Sequence, residues 1–137
     1  MNEEVFKNMS LEEIVDFINE YDTFSPYTNV KLLEIGEGTS KAVMEVKPEN
    51  LNFMGNIHGG ALMTLADTAG GSSISYLRRL CVTLNSTGNF IRAACPGNVY
   101  GYGKLMKIEG NTTVSDVVIK DSQDNIIYKG TVTMFLL

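Results

Sequence analysis

Apolar residues recur at helical spacing in two segments of the chain, and the first lies near its beginning. Its apolar positions, which share one helical face, are Leu11, Ile14, Val15 and Ile18. Ser10 can cap this helix, and Glu13 stands three residues further on, which is the pattern of a capping box. These features predict a short amphipathic helix over residues 10–21, ended by the Ser25-Pro26 pair.

The second segment, residues 57–77, is apolar on nearly every side. Its apolar positions at spacings of three and four are Ala61, Leu62, Leu65, Ala66, Ala69 and Ile74. Between His58 and Arg78 the only charged residue is Asp67. A helix this apolar is wrapped by the rest of its domain, so we expect it at the centre of the fold.

The remaining segments alternate between apolar and polar residues, as strands do. The predicted strands are residues 30–37, 41–46, 81–92, 99–108, 112–120 and 126–137. The alternation is clearest over 112–120, where Thr113, Ser115, Val117 and Ile119 share one face. One apolar helix among strands joined by short turns indicates an α+β fold, in which an antiparallel sheet curls around the helix.

Composition and charge restrict the class of protein. The 137 residues are 44% hydrophobic and 20% charged, which predicts one globular domain over residues 1–137 with residues 1–25 as a helical lead-in. The net charge of −5 argues against nucleic acid as a partner. The sequence has no run of about 18 apolar residues, the length that a membrane-spanning helix needs. Its acidic N-terminus lacks the features of a signal peptide, so we expect a cytoplasmic protein. Cys81 and Cys95 are too few for a disulfide framework and are expected to be inert packing residues.

A loop rich in turn residues leads into the apolar helix through His58-Gly59-Gly60. The first N–H groups of a helix have no partner inside it and carry partial positive charge. Because glycine has no side chain, Gly59 and Gly60 would let a carbonyl group approach these N–H groups closely. Such donors polarise a carbonyl and stabilise an oxyanion, although the two glycines could equally serve only a tight turn into the helix.

Asp67 is the strongest single indication of chemistry. A carboxylate buried in an apolar helix is costly unless it is paired or functional. Asp67 could act as a general base on water or attack an acyl carbon directly. The alternative is a buried carboxylate that only holds a backbone group.

His58 and Asn52 flank the loop, and each has two possible roles. His58 is the only histidine of the chain; it could be a catalytic residue, or as a residue at a helix start it could orient the loop or hydrogen-bond the Asn52 region. Without a second histidine or a Cys/His cluster, we expect no metal site. Asn52 could donate its side-chain amide to a carbonyl group, or it could be an ordinary turn residue.

The spacing of Gly59 and Asp67 has a geometric consequence. Eight residues of helix at 1.5 Å each separate them by about 12 Å along the axis. One reacting carbon cannot reach both groups of the same chain. We therefore predict a two-fold dimer with paired sites across its interface.

The pattern formed by Asn52, Gly55, His58, Gly59, Gly60 and Asp67 resembles that of the hotdog-fold acyl-CoA thioesterases of the PaaI-like, phenylacetate-pathway type. The resemblance covers roughly residues 30–137. It implies a hotdog fold, in which a curled antiparallel sheet wraps a long central helix. It also implies dimers joined edge to edge, which often pair into tetramers. The implied activity is hydrolysis of an acyl-CoA to the free acid and CoA, with no cofactor beyond the CoA of the substrate.

The resemblance also implies a role for individual residues. The Gly59 N–H would polarise the thioester carbonyl with help from Asn52, and Asp67 of the facing subunit would activate water or act as nucleophile. Thr83, on the strand after the helix, would hold that water. The implied substrate-binding residues are Gly55, Gly60 and Arg92, with Arg92 directed toward the phosphates of CoA.

Other cations could bind the phosphates as well, namely Arg78, Arg79 and Lys104. The family commonly has a proline soon after the basic residue that corresponds to Arg92, whereas here the proline is delayed to Pro96.

Two other functions remain compatible with the residues. One is a non-catalytic acyl-CoA-binding or regulatory module, and the other is a hotdog dehydratase that uses a histidine with an acidic residue. The His-Gly-Gly context and the single histidine favour hydrolysis. The small residues 69–72 could open a pocket for an aromatic or medium-chain acyl group, or they could serve close packing against the sheet. The residues leave open whether CoA or an acyl carrier protein carries the acyl group.

Overall fold

The computed structural model describes residues 3–137. The helices are α1 (Glu3–Lys7), α2 (Leu11–Tyr21) and α3 (Gly59–Ser72). The strands are β1 (Val30–Gly36), β2 (Thr39–Met44), β3 (Cys81–Phe90), β4 (Val99–Glu109), β5 (Thr112–Lys120) and β6 (Ile126–Leu136). Short 3₁₀ turns occupy Ser25–Thr28, Pro48–Asn50 and Ser75–Leu77.

The six strands form one antiparallel sheet in the order β1-β2-β4-β5-β6-β3, and α3 packs against every strand. The predicted α+β architecture is confirmed, with the apolar helix at its centre. The alternation predicted along β5 is also confirmed, because Thr113, Ser115, Val117 and Ile119 are at most 1% exposed. The core therefore lies between α3 and the inner face of the curled sheet.

The central helix is shorter than its apolar pattern. The prediction extended to residue 77, but α3 ends at Ser72. Just beyond it, the Ser73 hydroxyl donates to the Gly70 carbonyl and lies 2.8 Å from Ser115 Oγ, and the Ile74 N–H bonds to Gly71 three residues back. This local side-chain bonding tightens the chain out of the α-helix. Smaller differences are that β2 begins and ends two residues early, that β3 stops at Phe90, and that α1 was not predicted.

The lead-in is fixed to the sheet by its own caps and contacts. Ser10 and Glu13 form the predicted capping box at the start of α2, which confirms this helix. The Asn19 side chain bonds to both the N–H and the carbonyl of Leu32 on β1, at 2.9 and 2.8 Å. Phe6 of α1 is 6% exposed and belongs to the core.

Gly70 and Gly71 are neighbours on α3 but differ in the space around them. A Cβ on Gly70 would lie 2.7 Å from Val132 and 3.1 Å from Val117, whereas on Gly71 it would meet only the flexible end of Met134, at 3.1 Å. We expect Gly70→Ala to lower the free energy of unfolding by about 1–3 kcal/mol through overpacking. Gly71→Ala should leave it unchanged or raise it by up to about 1 kcal/mol, because alanine favours the helix. Urea unfolding measures both, and equal losses would contradict this assignment.

One edge of the sheet is open. Strand β3 pairs with β6 on one side, and no strand in residues 3–137 pairs with its other side. Its side chains are largely exposed, including the apolar Val82 (48%) and Leu84 (58%). The opposite edge strand, β1, packs against α2. A long edge strand with exposed apolar side chains is a surface suited to pairing with a second strand.

Candidate active site

The start of α3 presents one free N–H group. His58 is the N-cap, and its Nδ1 accepts the Gly60 N–H at 2.8 Å. The His58 carbonyl accepts the N–H groups of Ala61 and Leu62. Within the described chain, the Gly59 N–H has no acceptor. The donor available to a ligand at this helix start is therefore that of Gly59, while the Gly60 N–H is occupied.

The loop before α3 is held by Asn52. Its Oδ1 accepts the N–H groups of Met54 and Asn56, at 3.0 and 3.1 Å, and Gly55 completes the turn with a φ of +80°. The side-chain oxygen of Asn52 is therefore used in the turn, as the second of its two expected roles requires. Its amide nitrogen takes no part in these bonds. Gly55, expected to bind substrate, lies at the exposed tip of the loop, where its positive φ is what the turn requires.

Asp67 lies in the middle of α3, facing the beginning of β3. The expectation of a buried carboxylate is wrong for this chain, in which Asp67 is only half-buried and borders a cavity. Thr83 Oγ1 donates to Asp67 Oδ1 at 2.8 Å. The structure therefore brings Thr83 and Asp67 together, as the resemblance implied, although the hydroxyl contacts the carboxylate itself.

A cavity of about 670 Å³ opens beside Asp67. Along α3 it is bordered by Gly60, Met63, Thr64, Thr68, Gly71 and Ser72. Of the small residues, Gly71 and Ser72 thus border the cavity. Ala69 and Gly70, both buried, pack against the sheet. The small residues are therefore divided between two faces of the helix, one that borders the cavity and one that packs against the sheet.

A second groove, of about 340 Å³, contains Gly59. The Phe90 ring borders it and would lie 3.4 Å from a Cβ on Gly59. Arg92 borders the same groove, and its guanidinium donates to Asn125 at 3.3 Å. Sequence reasoning did not find Phe90, because nothing in the chain's spacing shows that the end of β3 lies beside the start of α3.

The other candidate cations are placed differently. Arg78 donates to the carbonyls of Met9 and Tyr76, and Arg79 donates to the main-chain oxygens at the end of β6. Lys104 lies on β4, with an exposed side chain. Arg92 is therefore the one of the four that shares a groove with Gly59.

Cys81 lies beside Asp67 and borders the same cavity. Burial raises the pKa of its thiol to about 11, and the negative charge of Asp67 adds to the effect. The thiol is therefore protonated at neutral pH and is a poor nucleophile. Both cysteines are free.

In the part of the chain that the structure describes, no three His, Cys, Asp or Glu side chains come close enough to hold a metal ion. No helix among residues 3–137 is long and apolar enough to cross a membrane.

We expect His58 to act as a helix cap. His58→Ala removes the acceptor of the Gly60 N–H and should lower the free energy of unfolding by about 0.5–2 kcal/mol. His58→Asn, which supplies a side-chain oxygen in its place, should restore most of that loss. Thermal unfolding of the two variants measures the difference. A loss of the same size in both would show that the imidazole does more than cap the helix.

The sequence profile of the thioesterase superfamily matches residues 54–128. The 1,4-dihydroxy-2-naphthoyl-CoA hydrolase of Escherichia coli is 27% identical over 115 residues, which are 81% of this chain and 84% of that protein. A hypothetical thioesterase of Streptococcus pneumoniae, with coenzyme A in its crystal structure, is 29% identical with a TM-score of 0.78, and the match covers 86% of this chain and 93% of that one. The PaaI protein of the E. coli phenylacetic acid degradation operon has a TM-score of 0.82 at 22% identity and shows the same fold over 92% of each chain.

The chain belongs to the thioesterase superfamily. By class it is a thioester hydrolase with a hotdog fold, so the fold and the family that the resemblance implied are confirmed. The superfamily match begins at residue 54, after the lead-in and after Asn52.

Proposed function

We propose that the protein hydrolyses acyl-CoA thioesters in a site shared by two subunits. The observation that carries the proposal is the single free N–H at Gly59, which lies on the same helix as Asp67 but in a different cavity. An oxyanion donor and a general base that serve one carbonyl carbon must lie within a few ångströms of each other. Two copies of the chain satisfy this condition if they pair so that Gly59 of one lies close to Asp67 of the other.

The positions on β3 support such a pairing. Phe90 lies beside Gly59, and Thr83 bonds to Asp67, so β3 runs alongside α3 in the opposite direction. Two open β3 edges that pair antiparallel about a two-fold axis bring the Phe90 end of one strand to the Thr83 end of the other. Gly59 of the partner subunit then approaches Asp67. The same pairing covers the exposed apolar side chains of β3. Dimers of this kind could associate further into tetramers.

The proposed reaction begins with a water molecule held by Asp67. Thr83 occupies Oδ1 of the carboxylate and fixes its orientation, so Oδ2 is left to accept a proton from water. The hydroxyl oxygen attacks the thioester carbon, and the Gly59 N–H of the other subunit stabilises the oxyanion with help from the Asn52 amide. The C–S bond then breaks, and the proton passes from Asp67 to the departing thiolate. The products are the free acid and CoA. Direct attack by Asp67, which forms an anhydride that water then cleaves, is the second route.

The groove beside Gly59 is the proposed path for the pantetheine arm. Arg92 borders it and, among the residues described, forms no ion pair with a carboxylate. A guanidinium in this position suits the phosphates of CoA. Because Gly60 has no side chain, it lets the substrate come close to the helix start. The reaction requires no cofactor other than the substrate's own CoA.

The test is thiol release from a panel of short-chain, long-chain and aryl acyl-CoAs, followed with a thiol-reactive dye. Turnover of at least one member is expected, and matched acyl carrier protein thioesters would show which carrier is preferred. Tight binding of CoA esters without turnover of any thioester would favour the non-catalytic binding module. For a dehydratase, only Nε2 of His58 would be available, because Nδ1 accepts the Gly60 N–H; loss of all turnover in His58→Ala would favour that alternative.

A further inference from the structure

The cavity beside Asp67 has two walls that come from different parts of the chain. One wall is the exposed face of α3, within the segment matched by the superfamily. The other is the lead-in, which contributes Phe6, Ile18, Asp22, Phe24 and Ser25. The segment matched by the superfamily profile contains the Asp67 carboxylate, whereas the opposite wall comes from the lead-in, which lies before the matched segment.

The lead-in wall has an aromatic ring at its depth and another at its rim. Phe6 is 6% exposed and Phe24 is 63% exposed, so one ring lies at the base and the other at the mouth. Met63 and Met134 add flexible apolar side chains from α3 and β6. A volume of about 670 Å³ lies within the range of cavities that hold small molecules.

The charged side chains that border the cavity are mostly negative. Asp22 and Asp67 both border it. Asp22 is fixed in place by the N–H of Phe24, at 3.0 Å, and by the Ser25 hydroxyl. Among the residues that the structure describes, the one cation that borders the cavity is Arg79, and its guanidinium donates to the main-chain oxygens of Leu136 and Leu137 and to Asn111. An acyl group whose far end carries a carboxylate would therefore meet the two negative charges and, within the described residues, no free cation.

We propose that this cavity takes a neutral, apolar acyl group and that Phe24 of the lead-in limits its length. The inference rests on the proposed function, because it assigns the substrate class of the same site. The thioester carbon lies at Asp67, and the acyl chain extends between α3 and the lead-in until it reaches the Phe24 ring. Gly71 keeps the helix side of this path open, because it has no side chain there.

The experiment uses saturated acyl-CoAs from acetyl to dodecanoyl. kcat/KM should rise about fourfold for each methylene that the cavity buries, and then stop rising where the chain meets Phe24. Phe24→Ala should move this limit to longer chains, and Phe24→Trp should move it to shorter ones. The matched control is Tyr27→Ala, an aromatic ring three residues further on that is 82% exposed and does not border the cavity. Its length profile should equal that of the wild type.

The charge argument is tested with pentanoyl-CoA and glutaryl-CoA, which differ by a terminal carboxylate. The wild type should prefer the neutral ester by at least tenfold, and Asp22→Asn should narrow that preference. Equal length profiles in Phe24→Ala and Tyr27→Ala, or a preference for the anionic ester, would overturn the inference.

Binding of non-hydrolysable thioether analogues separates this inference from the proposed function. If affinity depends on chain length and substitution of Phe24 changes that dependence, but no thioester is hydrolysed, the acyl site is supported and the proposed hydrolysis is wrong. If thioesters are hydrolysed with a length profile that Phe24 does not alter, hydrolysis stands and the acyl site fails. If no analogue binds and no thioester is hydrolysed, both are wrong.

Discussion

Replacement of Asp67 by Asn is expected to lower kcat by about 10²- to 10⁴-fold, because the amide cannot take the proton of the attacking water. The substitution preserves shape, and the Thr83 hydroxyl can still donate to the Asn oxygen, so the fold and substrate binding should be retained. The measurement is thiol release under single-turnover conditions. KM and the free energy of unfolding, measured alongside, should change little.

Asp116→Asn is the matched control for this substitution, because Asp116 is an exposed carboxylate on β5 that borders neither the Asp67 cavity nor the Gly59 groove. It should retain wild-type turnover. If Asp67→Asn keeps more than about a tenth of the activity, the general-base role is wrong. A single turnover in ¹⁸O-labelled water tests the second route: label in the Asp67 carboxylate would identify Asp67 as the nucleophile, with water attacking the Asp67 carbon of the anhydride.

Gly59→Pro is expected to lower kcat by about 10²- to 10³-fold, the loss typical of removing one oxyanion donor. Gly59 is the first residue of α3, a position where proline is well tolerated. His58 already has the extended conformation that a residue before proline adopts, with φ −62° and ψ 134°. The substitution therefore removes the free N–H with little disturbance of the helix. Gly59→Ala is the comparison variant: it keeps the N–H but adds a Cβ 3.4 Å from Phe90, and it should lose less activity than Gly59→Pro.

Mixing the two inactive variants tests whether the site is shared. In a dimer of one Asp67→Asn and one Gly59→Pro subunit, one composite site carries both defects and the other carries neither. Random reassortment of equal amounts should restore about a quarter of the wild-type activity, because half of the dimers are mixed and each has one intact site. A mixture that stays inactive after demonstrated subunit exchange would show that Gly59 and Asp67 act within one chain.

Much of the fold could be predicted because its signals are local. The capping box of Ser10 and Glu13 fixed the start of α2, and the alternation over 112–120 marked the buried face of β5. The end of α3 could not be predicted, because the apolar pattern continues past Ser72. At that point the Ser73 hydroxyl bonds both to Gly70 and to Ser115, and Ser115 lies 42 residues away in the chain.

The candidate site divides in the same way. The motif identified Gly59 and Asp67, but it did not show that His58 occupies the Gly60 N–H or that the Asn52 oxygen belongs to the loop turn. These outcomes depend on side-chain directions, which spacing does not specify. Nothing in the sequence indicated that Phe6 and Phe24 border the same cavity as Asp67, because both lie more than 40 residues before it in the chain.

The sequence by itself determined the central helix and the separation of donor from carboxylate along it, because helix rise and hydrophobic periodicity are properties of short segments. It indicated the family through the resemblance of the motif that runs from Asn52 to Asp67. Only the tertiary structure decided that Asp67 is half-buried beside a cavity, that Thr83 bonds to it, and that β3 offers an unpaired edge. These features depend on which distant segments the sheet brings together, and burial of the apolar core selects that arrangement for the chain as a whole.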